Sequence, residues 1–227
     1  MWAFHLLLAI SCVSMVDGKT CKCNNPPHPQ DWFCQATFAI KGKILGKIRK
    51  EGPGMKSAAV SVSHVFKGLN QLLTSENAEV FGQIVFQVRL YYPVNCPLDV
   101  QEGSQYLFTG VITVNGELHT SSCSWHAPWD KLTLTQTKGV QTVYKRNCGC
   151  RVDCQRWWLP GCRSCDDRDP WGREIVSSCT YGHMYCALSN DWEKCSWKVL
   201  DSGYSKCAGE AVGEVVSKRG RMRTGRS

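Results

Sequence analysis

Cysteine is the residue type that offers the most chemistry in this sequence, because 15 of its 227 residues are cysteines. The first close pair, Cys21 and Cys23, opens the stretch "CKCNNPPHPQDWFC" at residues 21–34. Cysteines at this density either form disulfides or bind zinc. The choice between the two depends on the compartment in which the chain folds, and the residues before Cys21 indicate that compartment.

Residues 1–20 have an apolar centre followed by small and polar residues, which is typical of a secretory signal peptide. Its removal takes away Cys12 and leaves an even number of cysteines, which predicts about seven disulfides in an oxidising compartment. The short motifs "CGC" and "CRSC" lack the paired spacing of a structural zinc site. We therefore expect a secreted, disulfide-bonded protein with no metal of its own.

No motif in the sequence predicts catalysis. The patterns H-E-x-x-H and G-x-S-x-G and a phosphate-binding glycine loop are all absent from it. Oxidised cysteines cannot act as thiolate nucleophiles. The histidines are scattered and lie near no nucleophile in the sequence; after the signal peptide they are His28, His64, His119, His126 and His183. We expect that the protein is not an enzyme.

The elements that must position the first cysteines are strands. Runs rich in β-branched and aromatic residues alternate with period two at residues 36–48, 57–66, 79–90, 104–114 and 117–123. Asn115-Gly116, between the last two runs, is a strong hairpin signal. Five such strands favour the small Greek-key barrel called the OB-fold. Thr133 and Gln136 have capping-box spacing, which predicts a helix over residues 134–146.

The second half of the chain has a different character. Nine cysteines lie in residues 148–207, with little periodicity between them. This is typical of a small module that relies on cross-links because it cannot build a large apolar core. We therefore predict a mainly β protein with short helices, in which residues 21–148 form the five-stranded OB-fold barrel and residues 149–210 form a smaller disulfide-rich module.

The formal net charge of +8 is unevenly distributed along the chain. Residues 211–227 end in "VSKRGRMRTGRS", a basic tail typical of a disordered, solvated terminus. The alternative is electrostatic attachment of this tail to sulfated polysaccharide. An extracellular location argues against nucleic acid as a partner, and no stretch after residue 20 is apolar enough to span a membrane.

Several motifs resemble those of the tissue inhibitors of metalloproteinases, whose inhibitory domain is a netrin-like OB-fold. The stretch at residues 21–34 is similar to the family's Cys-X-Cys, Pro-Pro-His-Pro-Gln and Phe-Cys opening. Further segments resemble family motifs: "HVFKG" (64–68), "APWDKLTLTQ" (127–136), "NCGC" (147–150) and "KCSW" (194–197). The likeness covers nearly the whole chain after residue 20 and is looser after Cys150.

The resemblance implies a set of disulfides. In the barrel half, the implied pairs are Cys21–Cys96, Cys23–Cys123 and Cys34–Cys148. In the second half, they are Cys150–Cys195, Cys154–Cys162, Cys165–Cys186 and, as an added bridge beyond the family's usual set, Cys179–Cys207. The sequence by itself leaves the pairing in the second half open, because eight cysteines allow many arrangements.

The resemblance also implies inhibition of zinc metalloproteases of the matrix type. The inhibitory wedge it implies consists of Cys21, Lys22, Cys23, Asn24, Asn25, Pro26, Pro93, Val94 and Asn95. A free α-amine has a pKa of about 8 and, with the carbonyl oxygen of the same residue, chelates a metal in a five-membered ring. As the mature N-terminus, Cys21 would bind the catalytic zinc of the target protease in this way, held in place by its disulfides.

Two features of the wedge depart from the family pattern. Lys22 stands where the family usually has Ser or Thr, at the position that enters the protease's main specificity pocket. An ammonium in an apolar pocket is costly, so we expect altered selectivity or weaker inhibition of common matrix metalloproteases. The segment Asn24-Asn25 also makes the spacing from Cys23 to Cys34 one residue longer than usual.

The signal-cleavage site decides whether chelation is available. Cleavage after Gly18 fits the small-residue preference at least as well as cleavage after Thr20. It would leave Lys19-Thr20 ahead of Cys21 and turn the required amine into an amide. Together with Lys22, this favours the alternative function, a non-inhibitory netrin-like extracellular module attached to matrix or to another protein.

Overall fold

The computed structural model describes Cys21, Cys23 and residues 27–152, 163–165, 177–189 and 194–210. Some of the sequence-based predictions concern other residues and lie outside the described part of the chain. They are the signal peptide (residues 1–20), the wedge residues Lys22, Asn24, Asn25 and Pro26, the pair Cys154–Cys162 and the basic tail (residues 211–227).

A closed ring of five strands forms the larger part of the structure. In chain order the strands are β1 (Phe38–Lys50), β2 (Met55–Lys67), β3 (Ala78–Phe81), β4 (Ile84–Pro93), β5 (Gln105–Ile112), β6 (Leu118–His119) and β7 (His126–Pro128). The ring order is β1-β2-β4-β6-β5, and β5 pairs with β1 to close it, while β3 and β7 lie outside. Only the β4–β6 pairing within the ring is parallel. This is the OB-fold arrangement, so the predicted fold class is confirmed.

The ring closes around apolar side chains that alternate along its strands. The fully buried side chains of this core include Phe38, Ile40, Leu90, Phe108 and Leu118. Gly110 on β5 makes the closure sterically possible, because a Cβ there would lie 2.1 Å from the carbonyl oxygen of His119. The barrel therefore depends on apolar packing and on the close approach of backbone to backbone at Gly110.

Two predicted strands differ from the structure. The single strand predicted at residues 79–90 is wrong, because the chain reverses at Gly82 (φ 59°) and forms the hairpin of β3 and β4. Apolar residues continue on both sides of this glycine, and the period-two pattern hid the turn. The strand predicted at residues 117–123 is reduced to Leu118 and His119, because the chain turns at residues 121–124. The predicted hairpin at Asn115-Gly116 is confirmed, with Ile112 opposite Leu118.

The helical elements of this half are α1 (Pro29–Gln35), α2 (Leu69–Leu73), a 3₁₀ turn (Trp129–Lys131), α3 (Leu134–Lys138), a π-helical turn (Gly139–Val143) and α4 (Tyr144–Arg146). The last three are continuous and confirm the predicted helix. Its capping box is also present, with Thr133 Oγ1 accepting from the Gln136 N–H at 3.1 Å. Gly139 leaves room for the fully buried Tyr144, whose ring would lie 2.3 Å from a Cβ at that position. Among the described residues, no helix has the length and apolar character needed to cross a membrane.

The disulfide-rich module contains β8 (Cys150–Arg151), β9 (Arg163–Ser164), α5 (Ser177–His183), β10 (Met184–Leu188), β11 (Cys195–Val199) and α6 (residues 203–210). β10 and β11 form an antiparallel pair, and β8 and β9 a parallel one. The described disulfides of this module are Cys150–Cys195, Cys165–Cys186 and Cys179–Cys207. Their sulfurs pack with Met184, Trp197 and Tyr204 in one buried cluster.

Candidate functional site

Two disulfides attach the N-terminal segment to one end of the barrel. Cys21 is bonded to Cys96 and Cys23 to Cys123, with Cα–Cα distances of 4.9 and 5.2 Å. The backbone nitrogen of Cys21 also donates to the carbonyl oxygen of Asn95 at 3.1 Å. The structure therefore fixes Cys21 by one covalent and one hydrogen-bonded contact to the same loop.

The loop beside Cys21 contains the other described residues of the implied wedge. Pro93 ends β4, and Val94 and Asn95 follow it with exposed side chains. Val94 is 44% exposed although it is apolar. We call Cys21, Cys23 and residues 93–96 the wedge surface. It is a partly exposed ridge at the end of β4, and Cys23, Val94 and Asn95 are exposed, so another molecule can contact it.

The turn between β1 and β2 borders the wedge surface, and it was not predicted from the sequence. The N–H of Val94 donates to the carbonyl of Gly54 at 2.9 Å, and Pro93 lies opposite Met55 in the β2–β4 pairing. This neighbourhood is set by the pairing of β2 with β4, and the residue spacing along one strand does not show which residues of another strand lie opposite. The turn is a second component of the site that only the structure reveals.

A second missed turn lies on the other side of the ridge. The N–H of Ser122 donates to the carbonyl of Cys96 at 3.3 Å, and Ser121 Oγ accepts from the Cys123 N–H at 3.2 Å. The implied Cys23–Cys123 bridge was the signal that could have identified this turn, because a disulfide brings the neighbours of both cysteines together.

Two groups of sulfur atoms lie close enough together to suggest a metal site. One contains Cys21, Cys23 and Cys123, with 3.2 Å between the Sγ atoms of Cys21 and Cys123; the other contains Cys150, Cys186 and Cys195. All of these sulfurs belong to disulfides. A metal is held by thiolates, which disulfide sulfurs are not. Their proximity therefore reflects adjacent cross-links.

His28 begins helix α1, five residues after Cys23, and is buried against the disulfide-rich module. Its Nδ1 accepts from the Gln30 N–H at 3.2 Å, and its Nε2 lies 3.1 Å from the carbonyl of Thr180. The ring of Trp197 is 5.5 Å away, edge-on. Burial lowers the pKa of His28 to about 4, so at neutral pH the ring is uncharged and Nε2 donates to the carbonyl. The histidine therefore has a packing role.

Gln30 and Asp31 fasten the same helix to the second module. Gln30 is fully buried, its Nε2 donates to the carbonyls of Asn147, Cys150 and Cys186, and its Oε1 accepts from the Cys186 N–H at 2.8 Å. Asp31 Oδ1 accepts from the Val152 N–H at 3.1 Å. These bonds hold both modules against the segment that leads out of the wedge surface.

The other end of α1 is fixed to the barrel. Cys34 is bonded to Cys148, with a Cα–Cα distance of 5.4 Å. Lys67 Nζ donates to the carbonyls of Phe33 and Cys34 at 2.9 and 2.8 Å, and burial lowers the pKa of this ammonium. A cation at the C-terminal end of a helix is also favoured by the helix dipole. The short helix is therefore constrained at both ends.

The sequence is similar to those of a known protein family. The sequence model of the family described as tissue inhibitor of metalloproteinase matches residues 19–197. Metalloproteinase inhibitor 3 of Scyliorhinus torazame is 29% identical over 207 residues, which cover 86% of this chain and 89% of that protein. Metalloproteinase inhibitor 4 of Mus musculus is 26% identical, and metalloproteinase inhibitor 2 of Bos taurus 24%, each across 86% of this chain and 88% of its own.

The family match includes the wedge surface, the barrel and the second module as far as Trp197 in β11. It spans well over half of the sequence, and the relatives are covered along most of their length. The resemblance seen in the motifs is thereby confirmed, and the chain belongs to the tissue inhibitor of metalloproteinase family.

Proposed function

We propose that this protein is a secreted inhibitor of zinc metalloproteases that acts through the backbone of Cys21. The position of Cys21 carries the proposal, because a disulfide and a hydrogen bond to Asn95 hold its backbone nitrogen at an exposed edge of the barrel. The names of the relatives, which are metalloproteinase inhibitors, support a metalloproteinase as the partner.

The chemistry requires a metal with a free coordination position. A catalytic zinc in a protease has three protein ligands and one position occupied by water. After cleavage between Thr20 and Cys21, the Cys21 nitrogen is an α-amine with a pKa of about 8, so it loses its proton at little cost near neutral pH. Its nitrogen and the Cys21 carbonyl oxygen then displace the water as a five-membered chelate. The zinc belongs to the protease, and this protein supplies no cofactor.

The cross-links supply the affinity that a short peptide lacks. A flexible segment loses conformational entropy when it binds, and a segment already fixed in its bound form avoids most of that loss. Cys21 and Cys23 are fixed by two disulfides, and α1 behind them is held by the contacts of His28 and Gln30. In this proposal both modules keep the wedge surface ordered before the protease arrives.

The remaining wedge residues set selectivity. In this proposal Lys22 contacts the main specificity pocket of the protease, and Pro93, Val94 and Asn95 contact its cleft. Asn24, Asn25 and Pro26 are the other residues of the implied wedge. The Lys22 ammonium disfavours an apolar pocket unless its head reaches solvent or an acidic group. The preferred proteases are therefore those whose pocket is open or carries a carboxylate.

The deciding experiment varies the N-terminus alone. One chain starts at Cys21, and a matched chain carries a single alanine ahead of Cys21. The inhibition constant of each is measured against a matrix metalloprotease. The same pair is also made with Lys22→Thr, which should inhibit this protease more strongly and so make the effect of the alanine easier to measure. The Cys21-start chain inhibits, Lys22→Thr strengthens this, and the added alanine abolishes both effects while circular dichroism stays unchanged. Equal inhibition with and without the alanine contradicts the chelation mechanism.

A second candidate function follows from the residues Lys19-Thr20 and Lys22. If the secreted chain begins at Lys19, Cys21 has no free amine, and the protein acts as a netrin-like module attached to matrix or to another protein. N-terminal sequencing of the secreted protein separates the two functions. Attachment to sulfated polysaccharide through the basic tail is tested on a heparin column with and without residues 216–227, and equal elution salt contradicts it.

A further inference from the structure

The two disulfides of the wedge surface lie in contact with each other. Cys123 Sγ, which is bonded to Cys23, lies 3.2 Å from the Sγ atom of Cys21. Cys21 is in turn bonded to Cys96. The proposed inhibition needs both cross-links, but it does not use this contact between them. The contact places the sulfur of one disulfide where it can attack the other.

The Cys23–Cys123 disulfide is accessible from one side. Cys23 is exposed, whereas Cys21, Cys96 and Cys123 are half-buried. A thiolate exchanges with a disulfide by attacking one of its sulfurs, and access helps to decide which sulfur is attacked. A thiol in solution therefore attacks Cys23, and Cys123 is the sulfur that leaves.

We propose that Cys23 is a site of S-thiolation, at which a low-molecular-weight thiol such as glutathione starts an exchange that passes on to Cys21. In the first step the thiolate bonds to Cys23 Sγ, the Cys23–Cys123 bond breaks, and Cys123 leaves as a thiolate. In the second step Cys123 Sγ bonds to Cys21 Sγ, and Cys96 leaves as a thiolate that takes up a proton. Two disulfides and one thiol are present before and after, so the exchange consumes no oxidant or reductant.

The position of Cys123 favours the second step. Its N–H donates to Ser121 Oγ at 3.2 Å, and the Ser122 N–H donates to the carbonyl of Cys96 at 3.3 Å. These bonds keep the turn beside the Cys21–Cys96 disulfide after Cys23 has been released. Attack between groups that are already held in contact is much faster than the same attack from solution. Cys123 therefore breaks the Cys21–Cys96 bond faster than free thiol does.

The second module contains a similar group of sulfurs with much less access. The Sγ atoms of Cys150, Cys186 and Cys195 lie within 4.8 Å of one another, as do those of the wedge group. Their disulfides are Cys150–Cys195 and Cys165–Cys186, and none of these four cysteines is exposed. Both sulfurs of Cys150–Cys195 are buried, so this disulfide resists a thiol in the folded protein and serves as an internal control.

The effect of this exchange on inhibition rests on the proposed function. In the exchanged form Cys21 is no longer bonded to the loop at residues 93–96, and Cys23 carries the added thiol on the wedge surface. The N-terminal segment is then less well fixed, and ordering it during binding lowers the affinity. We expect the exchanged protein to inhibit a matrix metalloprotease at least about tenfold less strongly.

The experiment maps the disulfides of the intact secreted protein after incubation with reduced glutathione without denaturant. At about pH 8, about a quarter of a thiol with an ordinary pKa is thiolate. Free thiols are then alkylated in acid. Trypsin cleaves after Lys22 and a glutamate-specific protease after Glu102, so the four cysteines of the wedge group fall on different peptides.

Mass spectrometry should find glutathione on Cys23, a new Cys21–Cys123 bond and alkylated Cys96, while Cys150–Cys195 stays intact. A protein that keeps both disulfides of the wedge surface overturns the proposal. Glutathione on Cys23 beside an intact Cys21–Cys96 bond overturns the second step. Loss of Cys150–Cys195 at the same rate also overturns the proposal, because access then does not select the site.

A double variant tests whether Cys123 carries the exchange to Cys21. With Cys23→Ala and Cys123→Ala, glutathione has to attack Cys21–Cys96 directly, so Cys96 should be released at least about tenfold more slowly than in the wild type. Near-ultraviolet circular dichroism verifies that this variant is folded, and equal release from both proteins overturns the second step. The mapping needs no protease, so its failure is distinct from failure of the proposed function. An exchanged protein that still inhibits fully confirms the S-thiolation and contradicts the chelation mechanism.

Discussion

The barrel and the disulfide-rich module bury their interiors in different ways. The main cluster in the barrel consists of aliphatic and aromatic side chains such as Phe38, Leu90 and Phe108, with no cystine among them. In the second module, four of the seven buried members of the cluster are cysteines: Cys150, Cys179, Cys186 and Cys195. One region is held by apolar packing, and the other uses its cross-links as the core itself.

The difference explains what the disulfides contribute in each region. In the barrel half, Cys21–Cys96 and Cys23–Cys123 lie at one end and fix the wedge surface, where Cys23 is exposed. A small module buries too little surface to fold by packing alone, and cross-links compensate by restricting the unfolded chain. The two disulfides at the end of the barrel therefore position the wedge surface, whereas those of the second module stabilise its fold.

The largest expected effect comes from removing a disulfide of the second module. We expect Cys150→Ala combined with Cys195→Ala to destabilise that module by about 2–5 kcal/mol, enough to unfold it at body temperature. Its two sulfurs lie inside the cluster that also contains Trp197, so packing is lost together with the cross-link. Limited proteolysis and tryptophan fluorescence measure the loss, and a fragment that contains the barrel should survive digestion.

The matched control removes a barrel-half disulfide. Cys23→Ala combined with Cys123→Ala should leave the barrel resistant to protease, because its core side chains are untouched. We expect this double variant to inhibit the protease less strongly, because the wedge surface is no longer fixed by that disulfide. If both double variants unfold to the same extent, the distinction between a packed barrel and a cross-linked module is incorrect.

A smaller effect on stability is expected from His28, which lies in the N-terminal segment and is buried against the second module. Its folded pKa of about 4 lies below the ordinary value of 6.5, because the module buries it. The unfolded chain therefore takes up a proton first as the pH falls. Stability from this group is complete above about pH 6.5 and is lost down to about pH 4, by about 3 kcal/mol in total.

Chemical denaturation at several pH values measures this loss, and a His28→Gln variant subtracts the contribution of the carboxylates that titrate in the same range. NMR titration of the His28 ring also tests whether its burial depends on the cross-links of the second module. In the variant without Cys150–Cys195, we expect its pKa to return toward 6.5. A pKa that stays near 4 in that variant would show that the burial of His28 does not depend on the folded module.

The sequence predicted the two regions with unequal success, for the same physical reason. Period-two runs reflect a barrel core made of side chains, so the ring strands were found, and the capping-box spacing of Thr133 and Gln136 predicted the helix at residues 134–146. The turn at Gly82 was missed because the apolar pattern continues through it. In the second module the buried cluster consists largely of cysteines, so no apolar periodicity along the sequence predicts α5, β10 or β11.

The candidate site divides along a similar line. Cys21, Cys23 and residues 93–95 were identified through the resemblance, which carries pairings that spacing alone leaves open. The turns at Gly54 and Ser122 were not found, because their contacts depend on strand register and on a long-range disulfide. His28 and Gln30 were visible as motif residues, but their hydrogen bonds to the second module required the fold.

The smallest expected effect lies at the boundary between the two regions. Thr133 caps the helix at residues 134–146 within the barrel half, and its hydroxyl also donates to the carbonyl of Gly182 in α5. Thr133→Ala removes both contacts, and the loss of an N-cap costs about 1 kcal/mol. Thr133→Ser keeps the hydroxyl and should restore most of the stability, which denaturant titration measures. The Thr133 hydroxyl caps the barrel helix and also donates to Gly182 in the second module. We therefore expect Thr133→Ala to destabilise both regions slightly. A loss confined to one region would mean that the hydroxyl serves only the cap or only the contact with Gly182.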